Sequence, residues 1–174
     1  FEHRHSHWSA YAVSRAHYAD ADLKAKRDFV ERVVQRAGAR WVLDVGANTG
    51  AFSEMASAHA SVVGIDLDEV SVSAIHSQTR KSGKPIQALV VDLSQPTPAC
   101  GWRSRACESC LQRAAGRFDL ALMLAVGHHL RVTAGVPLEQ ILETGLQLGG
   151  GSLLFEFVPT PDPMFAAIAR GREA

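Results

Sequence analysis

Apolar runs and helical periods take turns along this chain. Phe29, Val30, Val33, Val34 and Ala37 recur at helical spacing and predict a helix over 24–37 that stops at Gly38. Trp41–Val45 is a short apolar run closed by Gly46, which reads as a buried strand. Phe52, Met55 and Ala56 restart a helical period, and Ser61–Ile65 is a second strand ending at Asp66. A weaker helix pattern spans 69–81 and is closed by Gly83. Ile86–Val91 is a third strand ending at Asp92, followed by a Pro/Ser/Cys/Arg loop over 94–106 and a short helix over Cys107–Ala115. Asp119–Val126 is a fourth strand. Pro137–Leu148 is a helix with Leu138, Ile141, Leu142 and Leu146 on one face, its proline in the first turn and three glycines after it. Ser152–Val158 is a fifth strand, and Met164–Arg170 a last helix.

Strands that are apolar on both faces and alternate with helices predict an α/β fold. Its sheet is mainly parallel, doubly wound and Rossmann-like, with helices on both faces. Ligands of such sheets bind outside the carboxyl ends of the strands, where the strand order reverses. Composition agrees: 174 residues, 47% apolar and 21% charged, suit one globular domain. Eighteen basic and eighteen acidic residues cancel, which disfavours nucleic acid as a partner. No apolar run approaches the roughly 20 residues that cross a bilayer. Three cysteines are too few for a disulfide scaffold, so a reducing cytoplasm is expected.

The first candidate site is the turn Asp44-Val45-Gly46-Ala47-Asn48-Thr49-Gly50. Gly46 and Gly50 let the backbone turn tightly and approach a ligand, and the helix that follows offers free N–H groups. Dinucleotides and S-adenosylmethionine (SAM) are both held by such turns. Asn48 breaks the G-x-G-x-x-G dinucleotide fingerprint. Asp44 would repel a pyrophosphate and suits SAM, whose amino group and sulfonium are cationic. Asp66 can accept from both ribose hydroxyls of an adenosine, Leu67 can pack on the adenine, and Asp68 reads as a surface or capping acid. Asp92 either meets the adenine amine or makes a turn. Three successive strands that each end in an acid make a set that chance explains poorly.

Val42–Ser53, Val63–Asp68 and Val91-Asp92-Leu93 together resemble the class I SAM-dependent methyltransferases. The resemblance covers about residues 24–170. It implies the Rossmann-like methyltransferase sheet, with SAM as methyl donor and S-adenosylhomocysteine (SAH) as product. It places Asp44 and the loop Gly46, Ala47, Asn48, Gly50 near the methionine moiety, Asp66 and Leu67 at the ribose and adenine, and Asp92 and Leu93 by the adenine. Ala125 completes the cofactor-binding set. Phe118–Leu130, Phe155–Pro159 and Asp162-Pro163-Met164 resemble a bacterial, nodulation-protein-like methyltransferase subgroup. Ala47 and Asn48 depart from the Cys or Gly of many members. The family's sheet usually has seven strands, and five are visible here. The chain also opens on Phe1, so a core truncated from a longer protein is expected, its C-terminal hairpin missing.

Gly127-His128-His129 follows the fourth strand, where donor and acceptor would meet. A neutral His there can take a proton from an acceptor, so His128 and His129 are the catalytic candidates. Packing and capping are the alternatives, and a metal reading would recruit Glu156 beside them. Cys107 and Cys110 are expected to share a buried helix face rather than hold zinc, since no fourth cysteine exists. Residues 1–23 read as a lid or docking segment. It carries a His3/His5/His7 cluster and Trp8, Tyr11, His17 and Tyr18, and Lys26 just beyond is placed to meet a carboxylate. Residues 24–174 form the SAM-binding domain. The expected activity is methyl transfer to an O or N atom, on a small molecule rather than nucleic acid, by a monomer or weak dimer. The alternatives are an NAD(P)-dependent oxidoreductase and a SAM-binding domain without catalysis.

Overall fold

The computed structural model describes residues 20–159. Its core is one five-stranded sheet in the order β3-β2-β1-β4-β5, with all pairs parallel. The strands are β1 (Trp41–Val45), β2 (Ser61–Asp66), β3 (Ile86–Val90), β4 (Leu120–Met123) and β5 (Leu153–Phe155). The helices are α1 (Asp20–Ala37), α2 (Ala51–Ala56), α3 (Glu69–Ser82), α4 (Cys110–Ala114) and α5 (Leu138–Leu148). Of the predicted lid or docking segment over 1–23, residues 1–19 lie outside the described residues, as does the last helix over 164–170, and α1 begins at Asp20.

Strand alternation divides the core. Val42, Val62, Leu120 and Leu122 face Val30 and Val34 of α1 and Ala56 of α2. On the same side Ala88 of β3 meets Val72 and Ile75 of α3. Leu43, Val45, Ile65, Ala121 and Met123 face the other way, onto Leu111 of α4 and Ile141 and Leu148 of α5. Ile75, Leu122, Val34 and Val42 are fully buried, and each such side chain contributes roughly 1.5–3 kcal/mol of transfer free energy.

Several elements depart from the sequence pattern. Phe29 is half exposed and Ala37 exposed, because Val30 and Val34, with Val33 partly buried beside them, point α1 at the sheet. On α5 the buried stripe runs Ile141, Gly145, Leu148, while Leu138 and Leu146 lie open to solvent. Gly145 sets that rotation: a Cβ there would sit 2.8 Å from the Met123 sulfur and 2.9 Å from Leu153. Pro137 precedes the helix as its cap, with an extended ψ of 139°. The fourth strand is shorter than Asp119–Val126, since Ala125 adopts a left-handed φ of 53° that no strand accommodates. The fifth is shorter than Ser152–Val158. Among the described residues it pairs only with β4, whose last rung for it is Glu156 N–H to the Met123 carbonyl.

Asp119 does not extend β4 either. Its Oδ2 accepts from the Arg40 and Trp41 N–H groups, both at 2.9 Å, and so ties the start of β1 to the start of β4. These two bonds hold its carboxyl below the usual carboxylate range. Asp68 is the capping acid of the two alternatives: it is buried, and its carboxylate accepts from Val70 N, Ser71 N and Ser71 Oγ at the start of α3. The short helix begins at Cys110 rather than Cys107, capped reciprocally by Ser109 and Gln112.

Candidate functional site

The chain steps outward from β1 to β2 to β3, then returns to β4 on the other side of β1. In such sheets ligands bind outside the strands' carboxyl ends at that reversal, which here falls between β1 and β4. Gly46 (φ 71°) turns the chain there, with Gly46 N and Ala47 N both donating to the Ile65 carbonyl, at 2.9 and 3.0 Å. A Cβ on Gly46 would lie 3.0 Å from Val126, so the β1 turn and the segment after β4 pack together. Gly50 (φ 84°) starts α2, and a Cβ on it would lie 2.9 Å from Ile75. Asn48 takes the third left-handed position, φ 48°, with its Oδ1 accepting from Thr49 N at 2.7 Å. Asparagine tolerates this conformation better than most residues, which explains a turn built without glycine at that point.

The acids divide by environment. Asp66 accepts the Asn48 N–H on Oδ2 at 2.7 Å and the Asp68 N–H on Oδ1 at 2.9 Å. Both oxygens are therefore oriented by backbone, and each keeps further acceptor capacity. Leu67 beside it is exposed. Asp44 is 2% exposed and accepts from Ser53 Oγ at 2.6 Å. Burial pushes its carboxyl up to about 6, helped by the negative charge of Asp66 and opposed by the Ser53 hydrogen bonds. Ser53 had no assigned role in the sequence reading. The signal was Gly64: a Cβ on it would stand 3.0 Å from Ser53 Oγ, so the glycine leaves room for that hydroxyl.

Asp92 follows β3 and accepts from Ser94 N and Ser94 Oγ, at 2.8 and 2.6 Å, both on Oδ1. Asp92 thus makes a turn through Oδ1, which is compatible with a further acceptor role of its carboxylate, and Leu93 packs partly buried against the core of the α4/α5 face. Ala125 pays for its left-handed backbone with about 1–2 kcal/mol, just past the end of β4. Gly127 lies against the Phe155 ring, where a Cβ would come within 2.3 Å.

His128 is 6% exposed, and His129 is partly buried. Their rings stand 4.1 Å apart, tilted by 41°. Burial, then the neighbouring His128, lowers the His129 pKa to about 4, which leaves that imidazole neutral at pH 7. His129 opens a π-helical turn, His129–Thr133, a wide turn that often marks functional sites and that the sequence pattern did not reveal. Lys26 does meet a carboxylate. Its Nζ donates to Glu156 Oε2 at 2.6 Å and lies 5.3 Å from the Phe52 ring centre, bridging α1, α2 and the end of β5. Glu156 is thereby engaged away from a metal role, and among the described residues no group of three His, Cys, Asp or Glu is placed to hold an ion.

No family model matches the chain. It is 28% identical over 172 residues to the nodulation protein NoeA of Rhizobium meliloti (strain 1021), covering 98% of this chain and 35% of NoeA. The chain thus spans about a third of the length of that curated relative. Among solved structures it superposes on the bifunctional kinase-methyltransferase WbdD with a TM-score of 0.62 at 18% identity, over 89% of this chain and 33% of WbdD. It also superposes on the N-methyltransferase NodS from Bradyrhizobium japonicum WM9, with a TM-score of 0.56 at 16% identity, over 87% of this chain and 82% of NodS. The chain has the class I methyltransferase fold. A second NodS structure, in complex with SAH, matches with a TM-score of 0.52 at 17% identity, over 72% of this chain and 55% of that one. In this fold the Gly46 turn packs against Val126, so the glycine turn and the segment after β4 lie side by side at the strands' carboxyl ends. No described helix is long and apolar enough to cross a membrane.

Proposed function

We propose that this chain is the SAM-binding domain of a methyltransferase that acts on an O or N atom of a small molecule and releases SAH. The observation that carries this reading is the left-handed glycine turn after β1, whose Asn48 N–H is held by Asp66 and whose strand carries the buried, Ser53-bonded Asp44. A cationic, uncharged-phosphate-free nucleoside fits two carboxylates there, whereas a pyrophosphate would be repelled by both. The fold shared with NodS in its SAH complex supports the same cofactor.

In this proposal Asp66, preset by two backbone N–H groups, accepts from the ribose hydroxyls. Leu67 and Leu93 offer apolar contact to the adenine, and Asp92 accepts from its amine. Gly46, Ala47, Asn48 and Gly50 let the backbone come close, Ala125 lines the opposite wall, and Asp44 balances positive charge. When bound, SAM supplies a methyl group on a sulfonium, so transfer is a direct displacement and alignment is the main requirement. His129, held neutral, takes the proton that the acceptor atom loses, and the His128 ring packed against it orients it. A neutral overall charge favours a small acceptor over nucleic acid, and the cysteine usage favours the cytoplasm. A monomer or weak dimer completes the proposal.

Calorimetric titration with SAM, SAH and NADH, repeated on Asp66→Ala, tests it. Micromolar binding of both adenosyl ligands that weakens in the variant supports the reading. Binding of NADH alone would sink it in favour of an oxidoreductase.

A further inference from the structure

Cys100 and Cys107 face each other in an isolated antiparallel bridge outside the main sheet. Cys100 N–H donates to the Cys107 carbonyl at 3.0 Å, and Cys107 N–H donates to the Cys100 carbonyl at 3.2 Å. A pair that exchanges both bonds holds its Cα atoms about 5.5 Å apart and sends both side chains to one face of the ribbon. That separation lies within the roughly 4.4–6.8 Å that a disulfide spans. Both thiols are exposed, so a dissolved oxidant reaches them. The Cys107 thiol spends its proton on a long contact of 3.5 Å to the Glu108 carbonyl, which a turn about χ1 releases. Cys110 is placed differently: it is the first residue of α4, partly buried, with its N–H on the Thr97 carbonyl at 2.9 Å.

The bridge closes a tight hairpin. Arg103 and Ser104 both sit in the left-handed region, at φ 55° and 56°, and Trp102 projects from the tip with 86% of its surface exposed. The hairpin lies in the connection between β3 and α4. Hydrogen-bonded pairs place their Cβ atoms about 5 Å apart, slightly more than the roughly 4 Å of a relaxed disulfide. A bond formed here stores strain and is easily reduced, the mark of a labile disulfide rather than a structural one.

We propose that Cys100 and Cys107 form a reversible thiol–disulfide site, closed by a peroxide and reopened by a thiol reductant, that locks the hairpin carrying Trp102. One thiolate attacks hydrogen peroxide, its sulfur becomes a sulfenic acid and one oxygen leaves as water after protonation. The second thiol attacks that sulfur, the S–S bond forms and a second water leaves. Two thiols are oxidised by two electrons, and one peroxide is reduced to two waters. The site does not depend on the methyltransferase reading.

The purified chain is treated with hydrogen peroxide, and its thiols are counted and its disulfides mapped. The expected result is a fall from three titratable thiols to one, without dimer on a non-reducing gel. Tryptic cleavage after Arg103 and Arg105 should then leave fragments joined until dithiothreitol is added. Cys110→Ser should form the same bond at an unchanged rate, and Cys100→Ser should lose it. Pairing of Cys110 with either partner in the wild-type chain would overturn the proposal, as would intermolecular dimers or independent oxidation of the three thiols.

Discussion

The two sides of the strand-order reversal are built in different ways. On the β1–β2 side, the acids are held within the β1-α2-β2 unit: Asp44 by Ser53 of α2, and Asp66 by the Asp68 N–H beside it and the Asn48 N–H of the turn after β1. On the β4–β5 side, the groups depend on distant partners. Lys26 meets Glu156 across 130 residues, and Gly127 takes its place from the Phe155 ring. Local partners leave a motif in the chain, while distant ones leave single residues with no visible pattern.

The two sides also carry opposite electrostatic strain. Asp44 is an acid whose carboxyl is raised from 3.8 to about 6, so the folded protein binds the proton more tightly than the unfolded chain. Its contribution to stability is present below about pH 4 and is lost as pH rises through about 6. His129 is a base lowered from 6.5 to about 4, so the unfolded chain binds the proton more tightly. Its contribution is present above about pH 6.5 and is lost as pH falls toward 4. Between pH 4 and 6.5 the two slopes oppose each other.

The largest expected effect separates chemistry from binding. His129→Gln should lower methyl transfer by about 10²–10⁴-fold while SAH affinity changes by less than about threefold. The check is transfer of labelled methyl from SAM into a small-metabolite extract, beside calorimetry. Equal losses in both would place His129 on the donor side and erase the contrast.

Gly50→Val strikes the opposite side. It forces a branched residue into a left-handed φ and sets a Cβ 2.9 Å from Ile75. About 3 kcal/mol of stability should go, read from the urea midpoint, together with donor binding. The pH contrast is tested by the same unfolding assay. Asp44→Asn should remove the falling limb, worth up to roughly 3 kcal/mol, and leave stability rising from pH 4 to 6.5. His129→Gln should leave the reverse slope. Parallel profiles in the two variants would show that neither group carries the strain.

Asp66→Ala should weaken SAH binding by about 10–100-fold, the worth of one or two hydrogen bonds to a charged acceptor. The smallest effect belongs to Lys26→Met. Its ion pair is partly exposed, so stability should fall by no more than about 1 kcal/mol, and screening by salt should account for much of that. A larger loss would show that α1 is held to β5 chiefly by this pair.

The sequence by itself determined the alternation of strands and helices, the glycine turn and the acids at three strand ends. These rest on periodicity and on backbone demands that act within a few residues. It also contained Asp68 as a cap, since a capping acid and the N–H groups it serves are adjacent. Only the tertiary structure decided which helix faces are buried. Gly145 turns α5 because Met123 of β4 and Leu153 of β5 crowd it, and neither belongs to the helix. Tertiary packing also decided that Asp119 staples β1, that β4 ends before Ala125, and that Cys107 lies in a bridge with Cys100 rather than on a helix. The physical reason is common to all of these. Burial and close approach depend on what the fold brings opposite a residue, and one-dimensional spacing carries no record of that partner.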